Sequence, residues 1–296
     1  MNKVFKLLRV AFFLPLFMGC TQEETGGCPN ATVTFEYTGD ESTDIFRKHI
    51  ANVAYYVYDA SGSRVASGRL ESAELADFRG FKLKLGRGVY EVVCWGNLEH
   101  YCRADREDRK ETARIINPEH LADADPRTND PLYYGKAALE VGGGDTPCTA
   151  TVKFRSAHIT LWMYTKGVED RDADGQLHTP VFHVGGFDSE YDFDGNSNGT
   201  PMSFRPEAVY KEERKIGMAR CEVPRFNQGT PAILKVFQGS DHKLLEVVQI
   251  GKFVADNHIQ TEQLEEVEIP ILLDFMGLEV VVRMPTWDEV DVAPEW

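Results

Sequence analysis

Two-residue alternation, cut every few residues by glycine, is the feature that most limits what this chain can fold into. Val33, Phe35 and Tyr37 alternate with threonine and glutamate, and Phe81, Leu83 and Leu85 alternate with lysine. That period puts every second side chain on one face of a strand, so each run buries one side only. Residues 53–58 read as a strand, Asp59-Ala-Ser-Gly62 as the turn, and residues 64–69 as the returning strand. Gly86-Arg-Gly88 turns the chain again before residues 89–95. Residues 133–141 and 150–155 pair across Gly142-Gly-Gly144, and further strands are expected at 158–164, 181–184, 219–223, 233–237, 244–250, 267–273 and 278–284. Helical periodicity is confined to a turn at 44–50 and short pieces near 118–122 and 253–266. Many short strands between Gly, Asn and Asp turns predict an all-β fold of sandwiches.

The N-terminus carries a different signal. Lys3, Lys6 and Arg9 precede an apolar run from Val10 to Met18, and Gly19-Cys20 closes it. This is the layout of an export signal, and the run is too short for a bilayer span of about 20 residues. Leu16-Phe17-Met18-Gly19-Cys20 resembles the lipobox of bacterial lipoproteins, with Met18 where a small residue is usual. It implies a lipid on Cys20 and a cut before it; a plain signal peptide with a nearby cysteine is the alternative. Acyl chains contribute about 0.8 kcal/mol per buried methylene, so several on one cysteine hold a protein to a membrane. Thr21-Gln22-Glu23-Glu24 reads as a polar tether, and its acids resemble the surface-export signal of Bacteroides-type lipoproteins. The expected location is the outer membrane, lipid-anchored and exposed at the cell surface.

Removing residues 1–19 from 296 leaves 277, a length that suits two domains of ordinary size. We expect a signal at 1–19, a tether at 20–30, one sandwich at 31–147 and a second at 148–296. The leader takes three basic residues with it, so the charge of −15 becomes −18. That charge argues against a nucleic-acid partner, which needs clustered Lys and Arg. With Cys20 lipidated, Cys28, Cys94, Cys102, Cys148 and Cys221 remain, an odd number without a CxxC pair. A structural zinc site and a disulfide framework are therefore not expected.

Several of these pieces, in this order, resemble the FimB-like fimbrial anchor family of Bacteroides-type bacteria. The segments that carry the resemblance are Cys20, Val33-Thr-Phe-Glu-Tyr37, Asp44-Ile-Phe46 and the hairpin through Ser61-Gly62. The most recognisable is Gly88-Val-Tyr-Glu-Val-Val-Cys-Trp-Gly-Asn97; Arg155-Ser-Ala-His-Ile159, Tyr191-Asp-Phe-Asp-Gly195 and Arg283-Met-Pro-Thr-Trp287 follow. The resemblance implies two tandem transthyretin-like β-sandwich domains and no enzymatic activity. It further implies a protein that anchors or helps assemble a fimbrial shaft by strand addition, with shaft or tip subunits as partners. In such addition main-chain hydrogen bonds give affinity and alternate side-chain pockets give register. The rival class is a surface glycan-binding lipoprotein of a polysaccharide-uptake system, with Trp95, Trp162 or Trp287 as a stacking platform.

Chemical motifs are few. Asp170, Asp172 and Asp174 precede Gly175 at the spacing that places carboxylates around calcium, but Val181 stands where the closing acid would be. A solvated hairpin tip is the competing reading, and no other cofactor is expected. His178 and His183, five apart, fall on opposite faces of a strand and do not share a metal. No GxSxG, HExxH or phosphate loop occurs, so no catalytic residue is assigned. Residues 96–131 are a long charged excursion, either functional or mobile. The tail keeps Trp287 and Trp296 near and at the very end, which suggests either packing on its own sandwich or contact with a shaft subunit.

Overall fold

The computed structural model describes residues 28–122, 124–143 and 147–290. Cys20 and Trp296 lie outside the described residues, as does the proposed signal. The first half runs β1 (Ala31–Glu36), the helical turn α1 (Phe46–His49), β2 (Val53–Asp59), β3 (Arg64–Leu70), α2 (Ser72–Asp77), β4 (Gly80–Leu83) and β5 (Gly88–Gly96). It continues through β6 (Arg103–Asp105), β7 (Arg114–Ile116), α3 (Pro118–Leu121), β8 (Tyr133–Val141) and β9 (Cys148–Ser156).

Seven of these strands form one sheet in the order β3-β2-β5-β8-β9-β1-β4. β8 and β9 pair only over Tyr133–Lys136 and Lys153–Ser156, and beyond that they diverge. The sheet folds over at this corner and packs its two wings face to face. Tyr55 of β2 stacks on Phe81 of β4 at 3.9 Å, and Phe35, Phe46 and Phe154 fill the space between. Gly80 sits at φ +155°, and a Cβ there would lie 2.0 Å from the Val33 carbonyl oxygen. Only glycine allows β1 and β4 to approach this closely.

β2 is buried at every position but its last, as its continuous apolar run from Val53 to Tyr58 allows. Val53, Tyr55 and Val57 enter the core just described, while Ala54, Tyr56 and Tyr58 enter a second core on the opposite face. Residues 96–131 supply much of that second cover. The Asp130 carboxylate accepts backbone N–H groups of Glu99, His100, Tyr101 and Cys102 at 2.9 to 3.2 Å, and Leu98, Cys102, Ala113 and Ile115 pack beneath. The excursion is thus ordered by one buried carboxylate and an apolar underside, neither of which shows as a repeating pattern.

The second half runs β10 (His158–Lys166), β11 (Val181–Asp192), β12 (Ser197–Phe204), β13 (Ala208–Lys211), a 3-10 turn at Glu212–Arg214, β14 (Ile216–Pro224), β15 (Ile233–Phe237) and β16 (Leu244–Gln249). It ends with α4 (Ile250–Asp256), β17 (Glu268–Asp274), β18 (Val281–Arg283) and α5 (Trp287–Val290). One sheet has the order β13-β14-β10-β17-β18; the other joins β16, β15 and β11 to β12 and to β7-β6. Between them Leu161, Met163, Ile269 and Ile271 meet Phe182, Phe204, Leu234 and Val236. The fold is all-β, as the alternation predicted.

Three expectations are corrected here. The strand expected at 278–284 shrinks to Val281–Arg283, and Leu278 is fully exposed, because β17 offers β18 only Leu272 to Asp274. The helix expected at 253–266 is α4, Ile250–Asp256. The expected division at 147/148 does not follow the sheets. β9 lies inside the first sheet, between β8 and β1, whereas β6 and β7 belong to a sheet of the second half. The connection from β8 to β9 only links strands of one sheet; the chain passes between sheets at Ala157, which no turn signal marks.

Candidate functional site

The two halves are locked by the hairpin between β11 and β12, the Tyr191-Asp-Phe-Asp-Gly195 segment. Tyr191 donates its hydroxyl to the Ala157 carbonyl and accepts the Arg225 N–H at 3.0 Å. Phe193 sits edge-on to Tyr56 at 5.0 Å and Tyr58 at 6.1 Å, with Trp95 at 6.4 Å. Asp194 takes Lys110 and Lys136 at 2.7 Å each, and these lysines hold its carboxyl below the usual range. At Gly195, φ +80°, a Cβ would meet the Tyr134 ring at 2.5 Å. A second contact lies at the other edge: Glu266 accepts Tyr133 at 2.9 Å and Tyr37 as well, while Glu265 accepts the Ser156 N–H at 2.6 Å. The hairpin's role is not legible in the sequence, because its partners lie 34 to 137 residues away.

Trp95-Gly96-Asn97 has a structural job. Trp95 is fully buried against Tyr134 at 5.0 Å and Tyr191 at 5.4 Å. Asn97 turns the chain at φ +57° and ties together Ala51, His49 and Pro131 with its side-chain amide. Trp162 is half-buried beneath the Arg220 guanidinium, 5.2 Å from the ring centre. Neither tryptophan offers a free face to a sugar, and the Trp287 side chain is outside the described residues. The polar groove beside the lock, about 330 Å³, is lined by Arg155, Asp188, Ser197 and Arg225, but its aromatic residues Phe187, Tyr191 and Phe226 are buried. Among the described residues, Trp95 and Trp162 form no stacking platform.

Asp170, Asp172 and Asp174 diverge. Asp170 is buried, yet its carboxyl stays below the usual range because it accepts the Ser240 hydroxyl at 2.6 Å and N–H at 2.8 Å. Asp172 accepts His178 at 3.0 Å and the N–H groups of Asp174 and Gln176. Asp174 faces solvent. His183 pairs with Asp125 instead, at 3.4 Å. No group of three metal-ligating side chains forms among the described residues.

The five described cysteines are free thiols; Cys94, Cys102 and Cys221 are buried, which pushes their thiol pKa values up, and Cys28 is exposed.

The surface best suited to a protein partner is the edge at β17 and β18. β18 covers only the last three residues of β17. Met276, Leu278, Val281 and Met284 are exposed around it, an apolar group at an edge that no further strand covers among the described residues. The following turn is pinned down: Glu289 receives both Arg283 guanidinium nitrogens at 2.7 Å and Lys166 at 2.8 Å. Those cations hold the Glu289 carboxyl far below its usual range. β16 is a second open edge, with Leu244 and Val247 exposed, but there Glu246 caps the Val247 N–H at 2.8 Å. A charge placed on an edge in this way resists strand addition.

Residues 24–293 match the sequence profile of the Mfa2 family, described as fimbrillin-A associated anchor proteins Mfa1 and Mfa2. No curated protein matches the sequence. Among solved structures, the fimbrial anchor protein Mfa2 from Porphyromonas gingivalis superposes with a TM-score of 0.63 and 14% identity, over 86% of this chain and 95% of that one. A candidate adhesin from Bacteroides ovatus gives 0.70 and 14%, over 87% and 93%. A candidate polysaccharide-binding protein from Bacteroides thetaiotaomicron gives 0.67 and 14%, over 89% and 100%. At these identities the likeness is one of fold.

Proposed function

The chain belongs to the Mfa2 family of fimbrillin-A associated anchor proteins, and from that premise we propose that it anchors a fimbrial shaft to the outer membrane. In this reading Cys20 carries the lipid, the residues before Ala31 form the tether, and the body stands at the cell surface. No helix among the described residues is long and apolar enough to cross a membrane; in this reading the attachment is the lipid. The protein is non-catalytic and needs no cofactor; its partners are shaft or tip subunits. The observation that carries the reading is the extent of the family match, which takes in nearly the whole body. The partner adds a strand at the β17–β18 edge, where main-chain groups and exposed apolar side chains lie together.

The test is made on cells. Wild type and Cys20→Ala are labelled with a fatty-acid analogue, and shafts are counted on cells and in the medium. Loss of label together with release of shafts is the expected result. Equal labelling overturns the lipid on Cys20; loss of label with shafts retained overturns the anchoring role. Truncation after Met284 tests the edge: a folded chain that still retains shafts removes the tail from the contact.

A further inference from the structure

We propose that the chain is wired as two mechanical shear clamps in series between its two ends. The biological load rests on the anchoring role above; the clamps themselves follow from the sheet topology. β1, the first strand after the tether, lies parallel to β9 over six residue pairs, from Ala31–Cys148 to Glu36–Lys153. β10 lies parallel to β17 over seven pairs, from Thr160–Glu268 to Lys166–Asp274. Only Ala157 separates β9 from β10.

Tension applied at the N-terminus pulls β1 backwards along its own direction, while the rest of the chain pulls β9 forwards. Two parallel strands drawn in opposite directions slide against each other, so all the hydrogen bonds between them carry the load together. The same holds for β10, drawn back through Ala157, and β17, drawn forward through Asp274. Had either pair been antiparallel, the same pull would have opened the ladder from one end, bond by bond.

The junction is stiff. Ala157 donates its N–H to the Leu132 carbonyl at 2.9 Å, and its carbonyl accepts from Arg225 at 3.1 Å and from Tyr191. Glu265 holds the neighbouring Ser156 N–H. Force therefore passes from one clamp to the next without a slack linker. β18 has only three pairs and yields before the second clamp is loaded.

The experiment pulls one protein in two directions. The mature chain carries Cys20→Ser and Cys148→Ser, with the exposed Cys28 as the N-terminal handle. The second handle is either Gly277→Cys, past the end of β17, or Gly142→Cys, in the turn before β9, where a Cβ meets nothing within 4 Å. The first geometry shears β1 from β9; the second unzips the same strands from one end. Rupture force at one loading rate should be higher in the first, by up to about sixfold if six evenly spaced pairs share the load. Equal forces overturn the clamp. Thermal melting of both variants checks that they start from the same fold. A clamp intact in the instrument, when the chain with Cys20 in place fails to retain shafts on cells, overturns the anchoring role alone. Retained shafts with equal forces overturn the clamp alone.

Discussion

Replacing Phe193 by alanine tests whether the β11–β12 hairpin joins the two halves into one cooperative unit. The side chain is about 1% exposed and is enclosed by Tyr56, Tyr58 and Trp95. The rigid rings around it are held in β2 and β5 and cannot collapse into the space. Phe→Ala at such a site costs about 3–5 kcal/mol. At roughly 2–4 °C per kcal/mol for a chain of this size, Tm should fall by about 6–20 °C. Scanning calorimetry reads the shift, and a broadened or split transition would show the halves melting separately. Near-UV circular dichroism should change too, since Trp95 loses a neighbour. Leu244→Ala, at an exposed edge, serves as the control, with an effect within about 0.5 kcal/mol. A Phe193→Ala protein that melts within about 2 °C of wild type, in one sharp transition with an unchanged aromatic spectrum, would refute the lock.

Other consequences are equally direct. Asp194→Asn should lower stability at neutral pH and flatten the acid limb. A carboxyl held low by Lys110 and Lys136 stabilises fully above about pH 4 and loses that contribution as the pH falls; parallel melting curves from pH 7 to pH 2 would contradict this. Gly80→Ala should be strongly destabilising or fail to fold, because the Val33 carbonyl oxygen occupies the Cβ position; a denaturant midpoint near wild type would count against the close β1–β4 approach. In the folded protein a thiol reagent should modify Cys28 quickly and Cys94, Cys102 and Cys221 only after denaturation, since burial disfavours their thiolates; rapid modification of all five would be inconsistent with these cores. Millimolar calcium should leave Tm unchanged, because Asp170 turns to Ser240, Asp172 to His178 and Asp174 to solvent; a calcium-dependent rise lost in Asp172→Ala would restore the calcium loop.

What the sequence determined by itself is local. Alternation in Val33-Thr-Phe-Glu-Tyr37, the Asp59-Ala-Ser-Gly62 turn and the Tyr133–Val141 strand is written in neighbouring residues, since strand and turn preferences act over a few positions. The Trp95-Gly96-Asn97 strand end was legible for the same reason. Pairing was not. That β1 lies parallel to β9, or that β6 and β7 join a sheet with β11, depends on contacts between residues far apart in the chain. Strand propensity is indifferent to which neighbour satisfies the ladder. The carboxylates show the difference most plainly. Asp170-Arg-Asp172-Ala-Asp174 had the spacing of a cation loop, yet Ser240, seventy residues away, claims the first of them. Asp194, in a segment whose spacing names no partner, and Asp130, in no motif at all, tie the halves together and order the long excursion. A carboxylate's partner is decided by which donors the folded chain brings within hydrogen-bonding distance, and only the tertiary structure decides that.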